Sequence, residues 1–290
     1  MLDKFESYLR SLNVSENTIT AYIGDARQFL DFIRGEGLDA RDADGETLLM
    51  FLEHLTKMEL KGSSKRRKLE AVKAFYRAMK KIGLMDDNPV ADFSDMPKVK
   101  DEHMRVLTEM EYRSLRDVVR GSRRKSALRD YAILELALQT GLRISEICSL
   151  SMDDVEFSTR TTVGHVTVRK GKGGKERLVT LNDAAEKALK AYLDVRPKNT
   201  EHKEFFLNNR LSPCDAQVIG SVFKGYMKKA GIDNASFHSL RHTFATHSLR
   251  KGTNIIVVQE ALGHKSLTTT QKYLHFLREM MDDQLTKNVL

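Results

Sequence analysis

Apolar residues recur at helical spacing along most of the chain and alternate in only one place. Ser15 precedes Ile19, Tyr22, Ile23, Ala26, Phe29, Leu30 and Ile33, a one-face stripe that predicts a Ser15-capped helix ending near Gly35 and Gly37. Glu46 to Leu60 repeats the pattern with Leu48, Leu49, Phe51, Leu52 and Leu55, and a third helix is expected from Ser63 or Ser64 to about Ile82, before Gly83. No strand is expected in the first 95 residues. The prolines and mixed charges between Asn88-Pro89 and Glu102 read as an exposed linker. Helix resumes at Thr108-Glu-Met-Glu111, a capping-box pattern, and again from Ser126 to Gln139, where Gly141 stops it. A short helix follows from Arg143 to Leu150.

Val163, Val166 and Val168, a glycine- and lysine-rich turn, then Leu178-Val-Thr-Leu181 predict a β-hairpin. Further helices are expected from Asp183, after Ser212-Pro213 with the proline in the first turn, and over about 239–251, 254–262 and 267–280. The fold class is therefore mainly α with a small β-hairpin or sheet, in two domains.

Charge sharpens this division. The chain has 290 residues with 48 Lys+Arg and 40 Asp+Glu, a formal net charge of +8. Residues 1–95 hold 15 of the basic and 17 of the acidic residues, leaving 33 and 23 for the remainder. An excess of that kind favours a polyanionic partner. Within the acidic first part, one helix is strongly basic: Lys61, Lys65, Arg66, Arg67, Lys68, Lys73, Arg77, Lys80 and Lys81 accompany a single acid, Glu70. Its apolar stripe, Leu69, Val72, Tyr76 and Met79, would face a core. The basic side is either a solvated face or a surface laid on DNA phosphates, with Lys65, Arg66, Arg67, Lys73 and Arg77 as the candidate contacts.

The two cysteines, Cys148 and Cys214, form no CxxC and fit a reducing, cytoplasmic setting. No apolar run reaches the roughly 18 residues of a membrane span, and the N-terminus does not read as a signal peptide.

Candidate chemistry gathers late in the chain: His238-Ser-Leu-Arg241, Leu262-Gly-His264 and Tyr273, with Arg143 upstream in Thr-Gly-Leu-Arg. Arg143 either pairs with Glu146 one turn on or grips a phosphate while Glu146 fixes its rotamer. Lys172, at the hairpin tip, is either a solvated lysine or a mobile acid. Its Gly-Lys-Gly-Gly-Lys string lacks P-loop spacing and leads into a strand, which excludes a nucleotide cradle. His238 and His242 are four apart but lack the adjacent Glu of a His-Glu-x-x-His zinc site. His242, His247 and His275 are read as structural or surface residues.

The order Arg143, Lys172, His238-x-x-Arg241, His264, Tyr273 resembles the tyrosine recombinase (phage integrase) family, and the two-domain layout is similar to its Xer-type branch. The resemblance implies a SAM-like core-DNA-binding domain over 1–93, a linker over 94–106 and a catalytic domain over 107–290, closing as a C-shaped clamp. It implies that Tyr273 attacks the scissile phosphate, that Arg143, Arg241 and His264 stabilise it, that His238 is the base and that Lys172 protonates the leaving 5′-hydroxyl. No cofactor, ATP or metal is implied. The expected partner is double-stranded DNA bearing an inverted-repeat site, held by a homotetramer on two sites or by an assembly with a paralogue. The expected location is the cytoplasm, in association with the nucleoid. The rivals are a mobile-element integrase, a type IB topoisomerase, a DNA-binding protein that no longer cleaves, and a metal-dependent nuclease.

Overall fold

The computed structural model describes residues 1–99, 104–169, 176–198 and 200–263. The chain divides into two units, Met1–Glu102 and His103–Leu290. No helix among the described residues is long and apolar enough to cross a membrane.

The first unit is built from α1 (Leu2–Ser11), α2 (Glu16–Gly35), α3 (Gly45–Lys57) and α4 (Gly62–Lys81). Local chemistry sets the starts: the Ser15 hydroxyl accepts from the Thr18 amide, and Asp44 and Thr47 form a reciprocal capping box. The stripes predicted for α2 and α4 meet, because α2 packs on α4. Phe5, Phe29, Phe51, Phe75 and Tyr76 are fully buried between the helices. Their rings meet edge to face, as in Phe5–Phe75 at 5.5 Å and Phe29–Phe51 at 5.1 Å between centroids. Helix α1 adds Phe5 and Leu9 to this core. No strand occurs among the described residues of this unit.

The second unit contains α5 (Glu109–Arg120), α6 (Ala127–Thr140), α7 (Ile144–Cys148), β1 (Val155–Glu156), β2 (His165–Val168), β3 (Arg177–Thr180), α8 (Asp183–Val195), α9 (Ala216–Lys229), α10 (Phe237–Arg250) and α11 (Ile255–Leu262). Thr108 and Glu111 cap α5 reciprocally. Helix α6 is apolar on nearly every face because it is central: it packs against α5, α7, α8 and α10. The sheet is antiparallel in the order β1-β2-β3, with Val166 opposite Val179 and His165 opposite Thr180. Val166, Val168 and Val179 point into the core, whereas Leu178 is exposed, as strand alternation requires.

Helix α1 is not expected from the sequence, and three further details depart from that reading. A third, two-residue strand, β1, pairs with β2. Val163 lies outside the hairpin and is exposed. Pro213 does not open a helix: it bridges Leu207 in extended form, and the Asp215 carboxylate caps α9 by accepting from the Gln217 and Val218 amides. The cap overrides the proline's preference for a first helical turn.

Candidate active site

Two glycines set the scaffold of the site. Gly141 ends α6 in the left-handed conformation (φ +66°), turning the chain so that Arg143 stands just before α7. Gly263 ends α11 in the same conformation (φ +63°). Neither position has room for a side chain. A Cβ on Gly141 would lie 2.4 Å from Phe244 Cδ1 and 2.8 Å from Leu262 Cδ2, and one on Gly263 would lie 2.7 Å from Arg177 Nη1.

The C-terminal end of α11 is where the site converges. A helix leaves its last four carbonyls without intrahelical partners. Here the Gly263 amide serves Gln259 and Glu260, Arg177 Nε donates to Ala261 O at 3.0 Å, and Leu262 O accepts from Arg241 Nη2 at 2.7 Å and Arg143 Nη1 at 3.4 Å. Three guanidinium groups thus meet the negative end of one helix dipole. Arg241 is almost completely buried and also donates to Gly141 O at 2.7 Å, tying α10 to the turn that carries Arg143.

Arg143 is partly open to solvent. Its Nη1 donates to Glu146 Oε1 at 2.8 Å, and its amide donates to Glu146 Oε2 at 2.9 Å. Glu146 therefore pairs with Arg143 one turn away, and the pair holds the guanidinium by one of its nitrogens. Among the described residues, no hydrogen bond engages Arg143 Nε or Nη2. Burial alone would raise the Glu146 carboxyl's pKa. The hydrogen bonds from Arg177 and the Arg143 amide, with both guanidinium charges, outweigh it and hold the pKa below the usual carboxylate range.

His238 lies in the first turn of α10 and is exposed. Partial desolvation lowers its pKa, and the charges of Arg241 and Arg143 lower it further, so the neutral imidazole is favoured. Its ring stands edge to face with that of His242, 4.6 Å between centroids. His242 is half-buried and His247 is exposed, its ring packed against Tyr112. Arg143, Glu146, His238 and Arg241 are thus brought together by α7, α10 and the end of α11. Lys172, His264 and Tyr273 lie outside the described residues, as do His275 and the helix expected over 267–280.

Sequence reasoning assigned no role to Arg177. Its fork holds Glu146 through Nη1–Oε1 at 3.1 Å and Nη2–Oε2 at 2.8 Å. The signal was within reach: an arginine that closes the same glycine- and lysine-rich string as Lys172.

On the first unit, Arg66, Arg67 and Arg77 of α4 are exposed and Lys65 and Lys73 are half-buried. Several of these cations also have internal work. Arg67 and Lys68 both bond the buried Asp25 carboxylate, and Lys73 Nζ donates to Phe93 O at 2.6 Å. Lys65 Nζ reaches Thr56 Oγ1 at 3.3 Å.

Residues 105–280 match the phage integrase family, and residues 2–83 match the phage integrase N-terminal SAM-like domain. The chain belongs to the phage integrase family. It is 34% identical over 266 residues to the tyrosine recombinase XerC of Pelobacter propionicus, covering 91% of this chain and 86% of that relative. It is 33% identical over 289 residues to the tyrosine recombinase XerC of Bacillus subtilis, covering 96% and 92%. The crystal structure of XerA recombinase is similar at 32% identity and a TM-score of 0.55, covering 98% of this chain and 97% of that one. The pre-cleavage complex of XerH with its difH substrate shares the fold, with a TM-score of 0.75 at 22% identity over 97% and 84% of the two chains. The chain is accordingly a tyrosine recombinase, an enzyme that cleaves and rejoins DNA at specific sites through a tyrosine-linked intermediate.

Proposed function

We propose that this recombinase acts in the Xer manner, resolving chromosome or plasmid dimers by strand exchange between two inverted-repeat DNA sites. Tyr273 Oη attacks the scissile phosphorus, the 5′-oxygen leaves, and a 3′-phosphotyrosyl link forms. The tyrosine proton passes to His238, and Lys172 protonates the departing 5′-oxygen. Tyrosine ionises near pH 10, so attack at neutral pH requires such a base. Arg143, Arg241 and His264 stabilise the non-bridging oxygens as they gain charge. The link conserves the energy of the phosphodiester, so a 5′-hydroxyl from the second duplex can reverse the step without ATP.

The observation that supports this reading best is the convergence of Arg143 and Arg241 on Leu262 O, two positions before His264. The depressed pKa of His238 fits a base that is neutral before attack. The domain plan follows the same reading: 1–93 binds the core site, helped by Lys65, Arg66, Arg67, Lys73 and Arg77, 94–106 links, and 107–290 carries the chemistry. Four protomers would hold two sites, in the cytoplasm and on the nucleoid.

The test uses a nicked suicide duplex built on the inverted-repeat sequence recovered with the protein from cells, in EDTA. A covalent adduct that survives denaturation and is absent for Tyr273→Phe is expected. Cleavage that requires added divalent metal would overturn the mechanism, and relaxation of plasmids lacking that sequence would replace it with a topoisomerase.

A further inference from the structure

The Glu146 carboxylate lies between two arginines, and they hold it differently. Arg177 forks both oxygens, at 3.1 and 2.8 Å, whereas Arg143 reaches one of them with a single guanidinium nitrogen at 2.8 Å. Forked guanidinium–carboxylate pairing is the stronger arrangement, and its planar match leaves little angular freedom. Arg177 is itself 13% exposed, and its remaining Nε is anchored on Ala261 O. The missing side chain of Gly263 provides the space for its guanidinium.

Charge counting shows what this does for Arg143. One carboxylate against one arginine would close as a neutral pair, presenting a phosphate with a dipole. One carboxylate against two arginines leaves a net positive charge. Arg177 is the more enclosed of the two, at 13% side-chain exposure against 27% for Arg143, so the surplus charge faces outward on Arg143.

We propose that Arg177 is a positioning residue that takes up the Glu146 carboxylate and thereby leaves the positive charge of Arg143 uncompensated and aimed toward the scissile phosphate. The proposal rests on the reading that Arg143 grips that phosphate. It adds a joint between the hairpin strand β3, the α7 turn and the end of α11, so the strand that follows Lys172 is locked to the arginine with which Lys172 would work.

The experiment measures single-turnover cleavage of the suicide duplex at saturating full-length protein, with DNA affinity recorded separately. Arg177→Met is expected to slow cleavage on the order of a hundredfold, the scale of losing one transition-state donor, with affinity little changed. Arg177→Lys, which keeps the charge but loses the fork, should fall between Arg177→Met and the wild type. The decisive variant adds Glu146→Gln to Arg177→Met. Removing the carboxylate's charge should restore at least about tenfold of the lost rate, because coupled partners give non-additive changes.

A double variant no faster than Arg177→Met would make Arg177 a packing residue only and overturn the proposal. If Arg177→Met does not fold, as read by far-UV circular dichroism, Glu146→Gln is compared with the double. The two should cleave within about twofold, the scatter of uncoupled changes, and a tenfold slower double overturns the proposal. Arg143→Ala separates the two levels of argument. If it is inactive while Arg177→Met cleaves normally, the inference fails and the phosphate-gripping reading stands. If Arg143→Ala itself cleaves normally, both fall.

Discussion

Replacing Gly141 by alanine tests how the site is held, and two costs can be worked out. The first is conformational. Residue 141 has φ +66°, and the left-handed region costs an L-residue about 1–2 kcal/mol. The second is steric. The new methyl would stand 2.4 Å from Phe244 Cδ1 and 2.8 Å from Leu262 Cδ2, and Leu262 is fully buried. Forcing a methyl into a packed interior costs about 1–3 kcal/mol. Together the loss should be about 3 kcal/mol, which lowers the melting temperature of a unit of this size by roughly 6–12 °C.

Gly231→Ala supplies the comparison: it has φ +70° in the same unit, with nothing within 4 Å of its Cβ position, so only the conformational cost applies. The chain has no tryptophan, so urea unfolding is best followed by far-UV circular dichroism. Gly141→Ala should also depress cleavage beyond its effect on folding, because Leu262 O and Gly141 O both hold Arg241. Equal losses for the two variants would refute the steric argument. A loss for Gly141→Ala below about 0.5 kcal/mol, the usual range of surface changes, would refute the conformational one as well.

Three further outcomes are expected. Arg66→Ala with Arg77→Ala should weaken DNA binding and flatten its salt dependence without affecting folding, because both side chains are exposed. Lys73→Ala should also lower the stability of the first unit, because its ammonium holds Phe93 O. A DNA affinity unchanged by the double alanine variant would return α4 to a solvated face. In the DNA-free protein His238 should titrate with a midpoint below the ordinary imidazole value of about 6.5, because desolvation and two arginine charges disfavour the proton. A midpoint at or above that value in an NMR titration of the DNA-free protein would refute this account of the His238 environment.

Helix ends were readable in the chain because their signals are local: Ser15 and Thr108 as caps, and Gly141 and Gly263 as stops. Helix α1 escaped notice because Met1 offers no capping side chain and only Phe5 and Leu9 are buried in its ten residues. Strand β1 is two residues long, too short to alternate. The site divides in the same way. The Arg143–Glu146 pair is three residues apart and could be read from spacing. The Arg177–Glu146 fork spans 31 residues and the Arg241–Gly141 bond spans 100, distances over which sequence periodicity carries nothing. The basic face of α4 was legible as charge, but its bonds to Asp25 and Phe93 belong to tertiary structure.

The termination of α11 carries one more consequence. The acceptors there are peptide oxygens, present whatever residues occupy 261 and 262, so no codon change deletes them. Their vulnerability is phase. Inserting or removing one residue within Ile255–Leu262 would swing the terminal carbonyls by about 100° around the helix axis and disengage Arg143, Arg177 and Arg241 together. Substitutions at the outward-facing Ile256 and Val257 would leave that phase untouched. In this short helix, selection should therefore be strict about length and permissive about much of the spelling.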